Sequence, residues 1–391
     1  MGMEFRPYYM AREWARMGHK VTIIAGDFSH LRRVNPNVNR DFIERDVEGV
    51  HFCFIKTGTY EGNGATRAFS MFRFVSKLWL GARKLTKRYN PDLVIASSTY
   101  PLETYAAQRI SRKSRAVYVH EVHDMWPSTL YEVGGMSKGH PFVRLMQIAE
   151  NSAYKHCDRC VSLLPYAKDY MVEHGLAPSK FVHIPNGVVL EEWENPKPLP
   201  AEHSELLEAL SDKFIVGYFG GHAISNALDT LLDVAKAEAD PDVHFVLVGD
   251  GVEKPRLMDR VKKESITNVT FLPPVQKAAV PSLVSYFDCT YMGGADSPLY
   301  RFGLCLNKMF DSMAAGVPTI CAFNAPPTPI SEYECGLQVS PSPQEILSAI
   351  SSLKSLSKSA LAKMRENGRA AVVAQFSYES LAARFINSIT N

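Results

Sequence analysis

Residues Ser297 to Cys321 read SPLYRFGLCLNKMFDSMAAGVPTIC, and the fold class turns on this run. Tyr300 to Gly303 is turn-prone. Leu304 to Ala315 predicts a helix. Gly316 suits the left-handed position after a helix end, and Val317-Pro318 opens an apolar strand. At 100° per residue Leu306, Phe310 and Met313 share one helix face, while Asn307, Lys308 and Asp311 share another. One face can bury while the other presents an amide, an ammonium and a carboxylate near the helix start. A helix start also carries unpaired N–H groups and the positive end of a dipole, which suits phosphate. A carboxylate one turn further in can accept two hydrogen bonds from a vicinal diol. A polar face that is merely solvated fits the same letters, so the residues alone leave both readings open.

Working outward, the run closes an alternating series. Strands are expected at Ile215–Phe219, His244–Val248, Val269–Leu272, Cys289–Met292 and Thr319–Ala322, with helices between them. An earlier series has strands at Val21–Ala25, Val50–Lys56, Leu93–Ala96, Ala116–His120, Arg159–Leu163 and Phe181–Ile184. Glu191 to Pro200, rich in proline and glutamate, reads as a linker between the two. Alternating strands and helices imply parallel sheets covered on both faces. The expected architecture is α/β, with two doubly wound Rossmann-like domains facing across a cleft. The ligand belongs at the carboxyl ends of the strands. Phe28 to Asp46 reads as a long irregular loop and Thr57 to Ala65 as a glycine-rich one. Phe69 to Tyr89 is an amphipathic helix. Met71, Phe72, Phe74, Val75, Leu78, Trp79, Ala82 and Leu85 occupy one arc. Arg73, Lys77, Lys84, Lys87 and Arg88 occupy the other, with Phe69 and Leu80 among them. This face is either a wet basic surface or one that docks on anionic lipid.

At 391 residues the chain is too long for one typical core, so two domains are the prior. Hydrophobic residues make up 46% and charged residues 21%, as in an ordinary soluble globular protein. A net charge of +2 gives no argument for nucleic acid. No apolar run approaches the roughly 20 residues that span a bilayer. Glu4, Arg6, Arg12 and Glu13 interrupt any signal-peptide pattern, so a cytoplasmic protein is expected. The seven scattered cysteines fit reduced thiols. Cys157 and Cys160 form a CxxC with no second pair nearby, which leaves plain thiols or a metal or redox site.

Several strand ends carry candidate ligand groups. Ile215–Phe219 ends in Gly220-Gly221-His222, with Asn226 near the next helix start. Glycines there allow close approach to a phosphate, or simply make a tight turn. His244–Val248 ends in Gly249-Asp250-Gly251. Val269–Leu272 ends in Pro273-Pro274-Val275, whose backbone could read a flat base edge. In the earlier series His120-Glu121-Val122-His123-Asp124 follows a strand end. Alternation puts His120 and Val122 opposite Glu121 and His123, which disfavours a metal site and favours a histidine that hydrogen-bonds substrate. Asp240-Pro241-Asp242 is a DxD, but it lies before a strand, at the end of the sheet away from the ligand.

Together GYFGGHAISNALDTLL, LVGDG, VTFLPPVQK and SPLYRFGLCLNKMFDSMAAGVPTI resemble the nucleotide-sugar domain of the retaining glycosyltransferases of family 4, the group 1 transferases with the GT-B fold. EFRPYYMAREWARMGHKVTII and HEVHDMWPSTL look like the branch that includes N-acetyl-L-fucosamine transferases of O-antigen and capsule assembly. PNGV matches the end of that family's first domain, and the final helix is similar to the one that crosses back onto it. The resemblance implies an N-terminal domain over 1–190 rejoined by 376–391, and a donor domain over 201–375. The donor diphosphate is then expected near Gly303, Leu304, Asn307 and Lys308. Gly220, Gly221, His222, Asn226, Gly249, Pro274 and Val275 are expected to line the rest of the nucleotide sugar. Asp311 should bind ribose, Lys308 should neutralise phosphate and stabilise the leaving group, and His123 should lie near the donor sugar. The implied donor is a UDP-linked N-acetyl amino sugar. The implied acceptor is an undecaprenyl-diphosphate-linked saccharide at the cytoplasmic face of an anionic membrane. No cofactor or metal is expected.

This chain departs from the family pattern in three places. The usual first acid of the family's acidic pair falls at about Gly303. The family's Arg…Lys phosphate pair is absent, with His222 and Asn226 in that region. A strand and glycine-containing loop that precede the segment matching Gly2-Met3-Glu4-Phe5 are not in the sequence, so roughly 15 native residues are expected to be missing. Two alternatives stay open: a nucleotide-sugar epimerase on the same fold, and an inactive partner subunit of a polysaccharide-assembly complex, to which the absent strand points.

Overall fold

A computed structural model describes residues 5–390 apart from His30, Leu31, Arg33, Glu61 and Asn63. Two compact units divide the chain. The first takes residues up to Pro185 and takes back Tyr378 onward, and the second spans Asn186–Ser377.

The second unit is built on six parallel strands: β8 (Phe214–Phe219), β9 (Val243–Val248), β10 (Val269–Leu272), β11 (Cys289–Gly293), β12 (Thr319–Ala322) and β13 (Gly336–Val339). Their order is β10-β9-β8-β11-β12-β13. The order reverses between β8 and β11, so the crevice outside their carboxyl ends is where a doubly wound sheet binds ligand. The strands read as near-continuous apolar runs because both faces are covered. Val216, Tyr218, Phe245 and Leu247 pack on one side, while Ile215, Val246 and Val248 pack on the other. This alternation is the two-residue period of a strand written into two cores.

The first unit carries two sheets. One pairs β1 (Thr22–Gly26) parallel to β3 (Val50–Ile55), with β2 (Ile43–Val47) antiparallel on the far side of β3. The other is parallel, in the order β4 (Leu93–Ser98), β5 (Val117–Val122), β6 (Arg159–Ser162) and β7 (Phe181–His183). Among the described residues β1 and β4 are each paired on one side only. Ile24 and Val94 nevertheless share one core with Phe74, Leu78 and Ala82 of the long helix Ala65–Tyr89. The first helix, Phe5–Arg16, packs on the last, Tyr378–Thr390. Trp14 donates its indole N–H to the Ala382 carbonyl at 3.1 Å and stacks obliquely on Phe385.

Four expectations need correction. The loop read over Phe28 to Asp46 contains β2, whose Glu44, Arg45 and Asp46 are exposed. Only its ends, Ile43 and Val47, pack on the core, and the charged residues between them hide the alternation. The linker read over Glu191 to Pro200 begins as a short helix, Leu190–Glu194. The helix read from Leu304 starts later, at Asn307, after a 3₁₀ turn over Pro298–Phe302. Phe72 and Trp79, assigned to the buried arc of the long helix, are exposed on its outer face. A helix packed against one core buries a narrower stripe than eight apolar letters suggest.

Candidate functional site

Two clusters carry the candidate residues, one in each unit. In the second unit β8 delivers Tyr218 and then breaks into Gly220 and Gly221. Gly220 has φ +134°, and Gly249 at the end of β9 has φ +151°. A side chain at Gly249 would put its Cβ 1.9 Å from the Gly220 carbonyl oxygen, so two strand ends meet backbone to backbone here. Facing them is the helix Asn307–Ala315. Its N-cap, Leu306, offers no side-chain acceptor, so the cap residue leaves the first N–H groups without a side-chain partner. Lys308 in its first turn leans across to β8. Its ammonium donates to the Tyr218 hydroxyl at 3.2 Å and to Asn226 Oδ1 at 3.5 Å, and lies 4.3 Å from the Tyr218 ring centre. Tyr218 and Asn226 in turn both donate to the Gly221 carbonyl, at 2.6 and 2.8 Å. Among the described residues no carboxylate pairs with Lys308. Burial lowers its pKa to about 8, because an ammonium taken from water without a counter-ion gives up its proton more easily.

Asp311, one turn further along, is buried at 6% exposure and accepts from Lys277 at 3.3 Å. Burial raises its pKa, which Lys277 opposes and Glu192 reinforces. Thus the shared polar face reaches two different places. Lys308 turns to β8, Asp311 turns to the Lys277 segment after β10, and Asn307 is exposed at the helix start. Gly303 takes φ +92° just before the helix and Leu304 is buried beside it. Pro274 is exposed and Val275 half-buried after β10. His222 is fully buried between Tyr218 and Phe271, and neither ring nitrogen has a partner among the described residues. Burial lowers its pKa to about 4, with Lys254 and Lys308 pushing the same way against Asp250. It is a neutral ring that supports Tyr218 from behind.

In the first unit His123 stands one residue past the end of β5. Its Nε2 lies 2.9 Å from Glu121 Oε2 and 2.9 Å from Ser97 Oγ. Arg6 grips Glu121 Oε1 through Nε at 3.1 Å and Nη2 at 2.9 Å. His120 points the other way, buried against Tyr154, and burial lowers its pKa to about 4. The separation of His120 from His123 is the one strand alternation demands.

Tyr218, Lys277, Ser97 and Arg6 escape the sequence reading. Tyr218 looks like core inside FIVGYF, and Lys277 is one more lysine at the end of PPVQK. The traceable signal for the first-unit cluster was Glu121, a charge inside the otherwise buried YVHEV. The DxD is a polar turn: Asp240 accepts from the Asp242 N–H at 3.0 Å and pairs with Lys354. Cys157 and Cys160 are buried free thiols. Among the described residues no cluster of three metal-ligating side chains occurs.

Residues 2–192 match the family model described as Glycosyltransferase Family 4, and residues 213–355 match that described as Glycosyl transferases group 1. The chain belongs to the group 1, family 4 glycosyltransferases. A putative colanic acid biosynthesis glycosyl transferase, WcaI of Escherichia coli strain K12, is 22% identical over 220 residues, 54% of each chain. The chain thus spans about half the length of that curated relative in the stretch it matches. Among solved structures, sucrose-phosphate synthase from Thermosynechococcus elongatus superposes with a TM-score of 0.75 at 18% identity, over 99% of this chain and 92% of that one. Anabaena Alr3699/HepE, solved with UDP and glucose, gives 0.63 at 18% identity, over 88% and 87%. At these identities the likeness establishes the GT-B fold of this family member and no more.

Proposed function

We propose that the chain transfers a sugar from a nucleoside diphosphate donor to a saccharide acceptor in surface-polysaccharide synthesis. The donor is a UDP-linked N-acetyl amino sugar and the acceptor is lipid-linked. The observation that carries this reading is Lys308, a half-buried ammonium without a carboxylate partner, beside an uncapped helix start at the switch point of a doubly wound sheet. Such a site suits an anion. A diphosphate is such an anion; WcaI, named as a colanic acid biosynthesis glycosyl transferase, supports the polysaccharide setting, and Alr3699/HepE, solved with UDP and glucose, supports a UDP-linked donor.

In this reading Lys308 and the helix N–H groups hold the diphosphate and take up the charge that grows on it as the sugar leaves. Gly220 and Gly249 let backbone approach it. Asp311, steadied by Lys277 on one oxygen, accepts the ribose hydroxyls. The bond from the sugar carbon to the diphosphate oxygen breaks and the bond to the acceptor oxygen forms on the same face. The acceptor proton passes to the leaving phosphate oxygen. His123 hydrogen-bonds a sugar hydroxyl. Because charge is met by Lys308, turnover is expected to persist in EDTA. Loss of turnover in EDTA with rescue by manganese or magnesium would overturn that point.

The acceptor's lipid anchor fits the outer face of the long helix. Phe69 and Leu80 are 63% and 78% exposed, and Phe72 and Trp79 are exposed with them. Arg73, Arg83, Lys84 and Lys87 are exposed among them, while Arg88 pairs with Glu44 at 3.3 Å. Apolar residues interleaved with basic ones form an interfacial surface for anionic lipid. Lys77 is not free to join it, since it pairs with Asp41 at 2.8 Å. The test of the whole reading is to incubate the chain with UDP- and GDP-sugars and follow thermal stability. A stabilising UDP-sugar is expected, and no shift with any of them counts against it.

A further inference from the structure

The first-unit cluster makes a statement about His123 that the proposed transfer reaction does not itself contain. Glu121 is buried, and each of its oxygens is spoken for. Oε1 accepts from Arg6 twice, and Arg6 sends its remaining bonds to the Ile184 carbonyl at 3.0 Å and to the Pro185 carbonyl. The guanidinium cannot turn away without abandoning all of them. Oε2 accepts from the Ser97 hydroxyl and meets His123 Nε2 at 2.9 Å. Burial alone would raise the Glu121 pKa, but Arg6 and then His123 outweigh it and hold the carboxyl well below its ordinary range. An ionised carboxylate only accepts hydrogen bonds. Nε2 must therefore carry the hydrogen it gives to Oε2. Ser97 has spent its one hydrogen on Glu121, so toward Nε2, at 2.9 Å, it shows a lone pair. Both neighbours demand the same tautomer.

We infer that Glu121, clamped by Arg6 and assisted by Ser97, is a positioning residue that orients the His123 ring and, whenever that ring is neutral, keeps its hydrogen on Nε2 and its lone pair on Nδ1. Which ring nitrogen is protonated is set by the bond the other groups impose. Nδ1 has no partner among the described residues, and the His123 side chain is 19% exposed at the carboxyl end of β5. It is thus an acceptor waiting for a hydroxyl, and a sugar hydroxyl is the matching donor. The inference rests on the glycosyl-transfer reading for the identity of the hydroxyl, but not for the tautomer.

The test is nitrogen NMR of the intact chain labelled with ¹⁵N-histidine, at a pH where the ring is neutral, with His123 assigned by loss of its signals in His123→Gln. The expected spectrum has a protonated Nε2 and a bare Nδ1. Glu121→Gln supplies the contrast. Arg6 requires an acceptor, so the new amide turns its oxygen to Arg6 and its NH₂ to Nε2. The tautomer should then reverse, and turnover should fall about ten- to a hundredfold, the loss of one strong hydrogen bond, while UDP affinity is unchanged. A hydrogen on Nδ1 and a bare Nε2 in the unmodified protein overturns the inference. So does a Glu121→Gln variant that keeps both the original tautomer and full turnover. If Glu121→Gln does not fold, the unmodified spectrum still decides. If no sugar nucleotide turns over, the spectrum tests the tautomer independently of the transfer reading.

Discussion

Lys308 concentrates the argument at the scale of single residues. An anion bound beside it favours its charged form, so binding raises a pKa that burial has lowered to about 8. The sign follows. Below about 8 the free lysine is already charged and UDP affinity should be flat. Above about 8 binding must take up a proton, so affinity should fall as pH rises. Calorimetric titration at several pH values checks this. Lys308→Met should weaken UDP by about ten- to a hundredfold at neutral pH, as expected for a lost bond between charged groups, and should abolish the slope. An affinity equally flat to high pH in both proteins would remove Lys308 from the diphosphate. Lys308, Asp311 and Asn307 were legible because helical spacing is a property of the letters. Their partners were not. Tyr218, on β8, and Lys277, in the turn after β10, meet Lys308 and Asp311 across 90 and 34 residues of sequence, and no local pattern announces such a meeting.

At the scale of elements, strands buried on both faces were readable, since a run such as FIVGYF or VHFVLV has little other use. The edge strand β2, with three exposed charged residues between its two packed ends, was not, and the width of the buried stripe on the long helix was overestimated. Trp79 looked like core but lies exposed under the Arg109 guanidinium, 4.5 Å from the ring centre, a contact worth roughly 0.5–1 kcal/mol at such a site. The corrected outer face makes a sharper prediction than basic charge alone. Phe69→Asp with Leu80→Asp should release the chain from anionic vesicles in a flotation assay, since apolar insertion and about 1 kcal/mol per basic residue act together. Undiminished flotation would return the helix to a solvated role. A second element-level prediction concerns Glu150, on the helix Pro141–His156. It is 2% exposed and accepts from Tyr154, Tyr170 and Gln147 at 2.9, 3.1 and 2.6 Å, with no basic partner among the described residues. Burial raises its pKa to about 8 against those three bonds. The folded state therefore keeps a proton that the unfolded chain loses near the ordinary glutamate value of about 4.3. Its contribution is full below that value and declines as pH rises toward about 8. Melting temperature across this window should fall in the parent chain and fall less in Glu150→Gln. Equal slopes would refute the assignment.

For the molecule as a whole, two αβ units and a returning C-terminal helix could be anticipated, because the alternation of strands and helices restarts after residue 200. Family membership was legible for a related reason. No single motif is specific, but GYFGGH, LVGDG, LPPV and the Asn307 helix occur in one order and spacing that the sheet topology then explains. β8, β9 and β10 end side by side, and the Asn307 helix enters from beyond β11, past the switch point. What the letters could not supply was the pairing of charges, which depends on where each strand end finishes in space. The central claim is that this second unit binds the nucleoside diphosphate of a sugar donor, with Lys308 on phosphate and Asp311 on ribose. Isothermal titration of UDP into the purified chain and into Asp311→Asn tests it most directly. The account predicts saturable one-to-one binding that the substitution weakens by about ten- to a hundredfold, the loss of one charge-assisted bond. An absence of binding heat in the parent chain, or an identical dissociation constant in Asp311→Asn, would contradict it.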